Sequence, residues 1–261
     1  MKNLDLNKRK ANTRGQWRQE LVKKLVKQIM SRLRELSDSD IAVHSQRFFK
    51  TGKGEYGEGD RFLGIRVPIL RQCVREYRTI SLEDTIELLK SPFHEARLLA
   101  LLILVAKYAS ANAIAEQDAI YRTYLGNTEF INNWDLVDCS AEHVVGAHLF
   151  LRDRKPIYRL VHSKCLWERR IGIISTFHFV RRKDFPDTLE CARLLLNDKE
   201  DLIHKASGWM LREVGKRDSV AEEKFLERHY KQMPRTMLRY AIERFPEKER
   251  LAYLHGTKQA I

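Results

Sequence analysis

The chain has 261 residues and a formal net charge of +13, from 48 lysines and arginines against 35 aspartates and glutamates. This length allows one large domain or two small ones with a sizeable core. The longest uncharged apolar run, residues 98–106, is about half of the ~20 residues needed to cross a bilayer, so we expect a buried helix and no membrane association. The basic N-terminus lacks the apolar segment of a secretory signal, which predicts a cytoplasmic protein.

The positive charge is concentrated in two segments. Residues 1–36 hold eleven lysines and arginines against three acidic residues, and residues 164–183 hold six against Glu168 alone. Basic side chains that neutralise phosphates release counterions, so this pattern favours a nucleic acid as the partner. A solvated basic surface is the alternative. An anionic membrane is disfavoured, because no basic segment has an apolar face with aromatic residues.

Past residue 15, almost every segment places apolar residues three and four positions apart, and none alternates as a strand would. The sequence therefore predicts an all-α protein. The six prolines fall where a helix would begin or a loop would turn. They are Pro68, Pro92, Pro156, Pro186, Pro234 and Pro246.

Residues 51–60 contain four glycines and break the helical pattern. They predict a loop. It is not a Walker phosphate loop, since no Lys-Ser/Thr pair follows its last glycine. It is either a flexible connection or a segment whose backbone approaches a ligand.

Amphipathic segments recur with a period of about 36 residues. Those that begin at His94, Trp167 and Ile203 align, and the segment of Trp134 occupies the skipped position. Such a period predicts an α-solenoid of HEAT-like or armadillo-like repeats, with equivalent helices lining a concave basic groove. We expect residues 1–15 to form a flexible basic arm and residues 16–261 a single repeat domain.

Trp134 and Asp138 lie four residues apart, on one face of a predicted helix. An aromatic ring beside an anion suits a cationic ligand, although such a pair also occurs in ordinary cores and caps. Asn132 or Asn133 is predicted to cap the helix, and Asp135 is then explained by the helix dipole. Asp138 has no cation at i+4 and remains a functional candidate.

A second stripe contains Lys205, Trp209 and Arg212 at i, i+4 and i+7. This pattern can grip a phosphodiester and stack on a sugar or a base, and a core tryptophan is the alternative. Gly208 favours function, because a glycine inside a helix costs about 1 kcal/mol relative to alanine and often marks a close backbone approach.

Other basic residues are harder to assign. Arg169 and Arg170 are adjacent and point about 100° apart on a helix, so only one can face a groove. Arg235 and Arg239 suit phosphate contacts, but Glu243 could pair with them, and a solvated face is then the better explanation.

The cysteines are scattered, with neither a C-x-x-C motif nor histidines at ligand spacing. We therefore expect buried free thiols and no metal site. The four are Cys73, Cys139, Cys165 and Cys191.

Four motifs between about residues 40 and 250 resemble the AlkD-type DNA alkylation repair family, DNA glycosylases built from HEAT-like repeats. They are Phe62-Leu63-Gly64-Ile65-Arg66-Val67-Pro68, Trp134-Asp135-Leu136-Val137-Asp138, Trp167-Glu168-Arg169-Arg170 and residues 205–213. The resemblance implies that Trp134 and Trp209 contact the lesioned nucleotide, that Asp138 is the catalytic carboxylate and that Arg170 lies at the DNA backbone.

This chain departs from the family pattern at several positions. Arg66 stands where a glutamine is usual, and Phe48 lies near an expected tyrosine. Asp201-Leu202 replaces an aromatic pair. We expect Phe48 and Arg66 to contact DNA, and these differences affect the substrate range.

The resemblance implies a monomeric, monofunctional glycosylase that acts on duplex DNA with alkylated bases. It would hydrolyse the N-glycosidic bond of cationic N3- or N7-alkylpurines without base flipping and without a metal or cofactor. A non-catalytic HEAT-like protein that binds damaged or branched DNA is the first alternative, and a protein-interaction scaffold is the second. The fold cannot decide among them, because function depends on the site.

Overall fold

The computed structural model describes residues 20–258, so the arm predicted over residues 1–15 lies outside them. In the described range all regular structure is helical apart from one isolated bridge between Arg61 and Phe93, which confirms the all-α class. No helix in this range is long and apolar enough to span a membrane. The chain divides into two compact units, one ending at Ser110 and the other beginning at Ala111. A single domain over residues 16–261 stays a prediction.

The first unit is built around one long apolar helix. Its helices are α1 (described over residues 20–35), α2 (Ser39–Phe48), α3 (Val67–Tyr77), α4 (Leu82–Leu89) and α5 (His94–Ser110). Both α3 and α4 pack against α5, and residues 94–104 of α5 are all buried. The apolar run that begins at Leu98 is therefore a buried helix, as predicted.

The glycine-rich segment 51–60 is a loop, as predicted, and its own carboxylates close it. The backbone N–H groups of Gly52 and Gly54 donate to Glu55 and Glu58 at 2.8 Å each. Asp60, at the end of the loop, is buried and accepts a 2.7 Å hydrogen bond from Arg97 of α5. The loop is thus tied to the core of the first unit.

A buried carboxylate shapes the motif at residues 62–68. Glu95 accepts hydrogen bonds from the backbone N–H groups of Leu63, Gly64 and Ile65. Gly64 has a φ of +79°, and a side chain there would clash with the carbonyl of Asp38. This glycine is therefore required by the backbone conformation and by close packing.

The second unit contains α6–α16, and four of these helices form a row at its centre. The helices are α6 (Ile114–Leu125), α7 (Trp134–Asp138), α8 (Ala147–Leu149), α9 (Lys155–Val161), α10 (Leu166–Ser175), α11 (Phe177–Val180), α12 (Pro186–Leu194), α13 (Asp201–Gly215), α14 (Ser219–His229), α15 (Arg235–Ala241) and α16 (Glu247–His255). Helices α7, α10, α13 and α15 each pack against the next, while α9 and α12 cover α10, and α12 and α14 cover α13. This pairing is the arrangement expected of helical repeats.

Proline and glycine positions agree with the sequence analysis. Pro68, Pro156 and Pro186 lie in the first turn of their helices, and Pro234 and Pro246 directly precede α15 and α16. Gly208 lies where α13 meets α15, and a Cβ there would clash with the carbonyl of Met237. A close backbone approach is therefore present, but it is made by α15 of the protein itself, so Gly208 gives no indication of a ligand.

All four cysteines are free thiols. Cys73 and Cys191 are buried as predicted, and Cys139 is half-buried. The prediction is wrong for Cys165, which is exposed because it lies at the N-cap of α10. Among residues 20–258 no cluster of histidine, cysteine and carboxylate side chains could hold a metal ion.

Glu222 is a buried carboxyl group in the core of the second unit. It is 4% exposed and contacts Gly215 at the end of α13, where a Cβ would clash with it. Burial raises the pKa of Glu222 to about 8, with a further contribution from Glu223 and an opposing one from Arg212. The group is therefore a carboxylic acid in the folded protein at neutral pH.

We expect Glu222→Gln to remove a pH dependence of stability. The pKa of Glu222 is about 8 in the folded protein and 4.5 for an ordinary glutamate, so the folded state retains a proton that the unfolded state loses. The stabilisation is complete below pH 4.5 and is lost as the pH rises toward 8. The glutamine side chain cannot ionise. Between pH 4.5 and 8 the free energy of unfolding of wild type should therefore fall, relative to that of the variant, by more than about 1 kcal/mol.

Urea unfolding across this pH range measures the effect. Glu227→Gln, at an exposed position of the same helix, is the control and should follow wild type. Parallel pH profiles for wild type and Glu222→Gln would contradict the assigned pKa.

Candidate active site

Helix α7 is short and its start is fixed by a cap. Asn133 is fully buried with an extended backbone, and its Oδ1 accepts a 2.8 Å hydrogen bond from the N–H of Trp134. The predicted cap is therefore present. After Asp138 the chain turns and continues as a π-helical segment, Glu142–Gly146, a feature often found at functional sites. Trp134 and Asp138 are both half-buried, about one turn apart.

Asp138 is held by Arg170 through both carboxylate oxygens. Arg170 donates from Nε to Oδ1 at 2.9 Å and from Nη2 to Oδ2 at 2.8 Å. Its Nη1 donates to the carbonyl of Leu202 at 2.5 Å, at the start of α13. Arg170 is only 5% exposed, whereas the side chain of Asp138 is 18% exposed. The guanidinium thus connects α7, α10 and α13, and the carboxylate it holds keeps a small exposed fraction.

Two opposing effects set the proton affinity of Asp138. Burial raises the pKa of its carboxyl group, because the charged form loses hydration. The positive charge and hydrogen bonds of Arg170 oppose that rise. The carboxylate is therefore both fixed in direction and more basic than an ordinary aspartate.

The neighbouring arginine makes a matching pair on another side of α10. Arg169 donates to Asp198 from Nε at 2.6 Å and from Nη2 at 3.2 Å. The carboxylate of Asp198 is 5% exposed. The sequence left open which arginine turns toward the candidate site, and in the structure it is Arg170 that does so.

Trp209 lies about 10 Å further along α13 than Leu202, seven positions on. Its Nε1 donates to Glu213 at 3.3 Å, and its ring meets that of Phe177 edge to face, with 5.6 Å between centroids. Trp209 is half-buried. Its polar and ring contacts are thus with Glu213 and Phe177, while Arg170 contacts both Asp138 and Leu202 directly.

Comparisons with known proteins were consistent with these features. Residues 29–245 match the model of the family described as DNA alkylation repair enzyme. The chain belongs to this family. Its resemblance to DNA alkylation repair proteins is thereby confirmed, and the family implies a role in DNA repair with DNA as the substrate.

One solved structure supports the fold of this DNA alkylation repair family member. It is described as a predicted DNA alkylation repair enzyme from Enterococcus faecalis. The TM-score is 0.63 and the identity 16%, and the match covers 81% of this chain and 97% of the other. At this identity the likeness supports the fold alone. No curated protein sequence gives a significant match.

The remaining cations predicted to bind DNA have varied surroundings. Lys205 pairs with Asp201 at 2.8 Å, and Arg212 pairs with Glu243. On α15, Arg235 and Arg239 are both exposed. Arg235 donates to the backbone carbonyl of Leu254.

Two of the predicted DNA-binding residues belong to the first unit. Phe48 is 57% exposed at the end of α2, and its ring packs against His44 and Phe49. Arg66 is exposed at the N-cap of α3.

The sequence analysis missed the carboxylates that organise the second unit. Glu213 accepts the indole N–H of Trp209 and also pairs with Lys216 and Arg217. Its spacing of i+4 from Trp209 could have indicated this contact. Asp198 is 29 positions from Arg169, and no local pattern indicates such a partner.

We expect Arg170→Lys to raise the pKa of Asp138 further. Lysine has one compact charge and no planar fork, so it cannot replace the two parallel hydrogen bonds that favour the carboxylate. Carboxyl-carbon NMR titration of Asp138 measures the shift. Arg169→Lys, which weakens the neighbouring pair with Asp198, should leave Asp138 unchanged. An equal shift in both variants, or none in Arg170→Lys, would show that the fork does not control this group.

Proposed function

We propose that this DNA alkylation repair protein is a monofunctional DNA glycosylase. It would act as a monomer on duplex DNA and hydrolyse the N-glycosidic bond of N3- or N7-alkylated purines. The observation that carries the proposal is the carboxylate of Asp138, fixed by Arg170 through both oxygens and one turn from Trp134. From the family resemblance we also propose that the enzyme acts without flipping the base. Most glycosylases instead extrude the base into a pocket.

The chemistry needs a fixed anion close to the sugar. Alkylation at N3 or N7 gives the purine a positive charge, so the C1′–N bond can break with its electron pair moving to a neutral leaving base. Positive charge then develops on the sugar. Asp138 stabilises this charge and orients a water whose oxygen bonds to C1′, and the water's proton passes to the carboxylate or to solvent.

The buried guanidinium makes Arg170 a positioning residue in this scheme. Its three nitrogen atoms bind Asp138 and the carbonyl of Leu202, so it directs the carboxylate. The family resemblance assigned this arginine to the DNA backbone, and its low exposure favours action through Asp138. Trp134 and Trp209 would place indole faces near the cationic nucleotide, where the ring quadrupole attracts positive charge.

One observation favours the alternative of a non-catalytic DNA-binding protein. The positive charge of Arg170 offsets the negative charge of Asp138, because Nη2 lies 2.8 Å from Oδ2. This pairing weakens the field that the carboxylate exerts on a developing cation. A carboxylate fixed in this way could serve recognition of a cationic base without bond cleavage. Binding and base release must therefore be measured separately.

We expect Asp138→Asn to lower the rate of base release from methylated duplex DNA by about 10²- to 10³-fold. The amide keeps the shape of the side chain but removes the negative charge that stabilises the sugar cation. Release of free methylated base from duplex DNA, in single turnover, measures the chemical step.

Asp198→Asn is the matched control, because it removes the charge of the equivalent pair with Arg169 and leaves Asp138 intact. It should release base at the wild-type rate. If wild type binds the duplex but releases no base above the spontaneous rate, the enzyme proposal fails and the binding alternative stands. If Asp138→Asn is as fast as wild type, the role assigned to Asp138 is wrong.

A further inference from the structure

Two arginines that the resemblance does not mention lie over one aromatic ring beside Trp209. The guanidinium carbon of Arg181 is 4.4 Å from the ring centroid of Phe177, and that of Arg217 is 5.7 Å away. The ring of Phe177 contacts that of Trp209. We refer to Phe177, Arg181 and Arg217 as the Phe177 cluster. It joins the end of α11 to the end of α13.

A buried carboxylate fixes each arginine of the Phe177 cluster. The Nε of Arg181 lies 2.5 Å from Glu142, and the Nη1 of Arg217 lies 3.0 Å from Glu213. Both glutamates are buried, whereas the arginine side chains are 51% and 24% exposed. The guanidinium groups are therefore held in place at the surface.

Both guanidinium groups keep hydrogen-bond donors for a ligand. Arginine has five N–H donors in a planar fork. Arg181 meets Glu142 through Nε, and Arg217 binds the carbonyl and the carboxylate of Glu213 through Nη1. Among residues 20–258, the Nη groups of Arg181 and the Nη2 of Arg217 donate no hydrogen bond. These remaining donors suit a tetrahedral oxyanion, which can take two parallel hydrogen bonds.

Two further cations follow the Phe177 cluster in the chain. His178, between Phe177 and these cations, is half-buried and adds no charge at neutral pH, because burial lowers its pKa to about 4, with contributions from Arg182, His143 and Arg181. Arg182 and Lys183 are both exposed and follow directly in the chain. An anion placed here gains from these charges.

The Phe177 cluster lies at a defined offset from Asp138. Glu142 follows Asp138 by four positions, and Phe177 follows Arg170 by seven. Along α13, Trp209 follows Leu202 by seven positions as well. Only the offset along α13 lies within one uninterrupted helix, and at 1.5 Å per residue it amounts to about 10 Å. A DNA strand with one sugar at Asp138 would therefore bring a neighbouring phosphate within reach of the cluster.

We propose that Arg181 and Arg217 form a phosphodiester-binding site for the strand whose lesioned sugar lies at Asp138. The proposal rests on the proposed function for the position of the sugar. Phosphate contacts fix the register of a protein on DNA, and side chains already held in place lose little conformational entropy on binding. The cluster would thus hold the strand so that C1′ faces the carboxylate.

The test is the salt dependence of binding to an unmodified duplex oligonucleotide. Each phosphate contact that is lost lowers the slope of log K against log salt by about 1. We expect this loss in Arg181→Gln and in Arg217→Gln. Arg181→Lys should keep the wild-type slope, because it keeps the charge, and should bind more weakly, because it lacks the fork.

Arg193→Gln is the matched control. Arg193 is an exposed arginine of α12 whose side chain is 48% exposed and paired with Glu190, and its variant should bind like wild type. Wild-type slopes in both Arg181→Gln and Arg217→Gln would overturn the proposal, as would an equal loss of slope in Arg181→Lys. Binding to undamaged DNA does not depend on base release, so the proposed activity and this site can fail separately.

Discussion

The second unit depends on how the buried charge of Arg170 is satisfied. A guanidinium that is 5% exposed is costly unless its donors are matched. The matching groups come from two other helices, the carboxylate of Asp138 on α7 and the backbone carbonyl of Leu202 on α13. Loss of either group would leave a buried charge without its partner, an effect of about 3–5 kcal/mol in other proteins. The ion pair therefore fixes the position of α7, a helix of only five residues, as well as the direction of the carboxylate.

The same pair limits what Asp138 can do. A bare carboxylate would exert the strongest field on a sugar cation but would rotate and take up protons when buried. Arg170 reduces the net charge, yet it favours the ionised form and fixes the direction of the carboxylate. Preorganised charge needs little rearrangement during reaction, which can outweigh a weaker field. In the proposed reaction a cationic substrate would be attracted to Asp138 and repelled by Arg170. It would therefore be favoured only where it approaches the carboxylate and not the guanidinium.

The helical class, the proline-marked helix starts and the cap at Asn133 could be predicted from sequence, because each rests on contacts within a few residues. Asp138 was a functional candidate by exclusion, since it has no cation at i+4, and its catalytic role was implied by the family resemblance alone. Its partner could not be found in that way, because Arg170 lies 32 positions away and adjacent Arg169 is an equal candidate on spacing alone. Only packing separates the two, as the 100° between neighbours on α10 turns one toward Asp138 and the other toward Asp198. Gly208 favours function on sequence alone, yet its close backbone approach is explained by packing against α15.

The ion pairs also show where DNA affinity can arise. Four cations singled out by sequence, Arg169, Arg170, Lys205 and Arg212, each have a carboxylate partner within the second unit. A phosphate that approaches such a side chain must compete with that carboxylate, so its net gain is smaller than the formal charge suggests. A guanidinium with donors left over can instead bind both anions at once. If the proposed phosphate site is correct, the number of unused donors, more than the count of basic residues, would decide how strongly this surface holds a DNA strand.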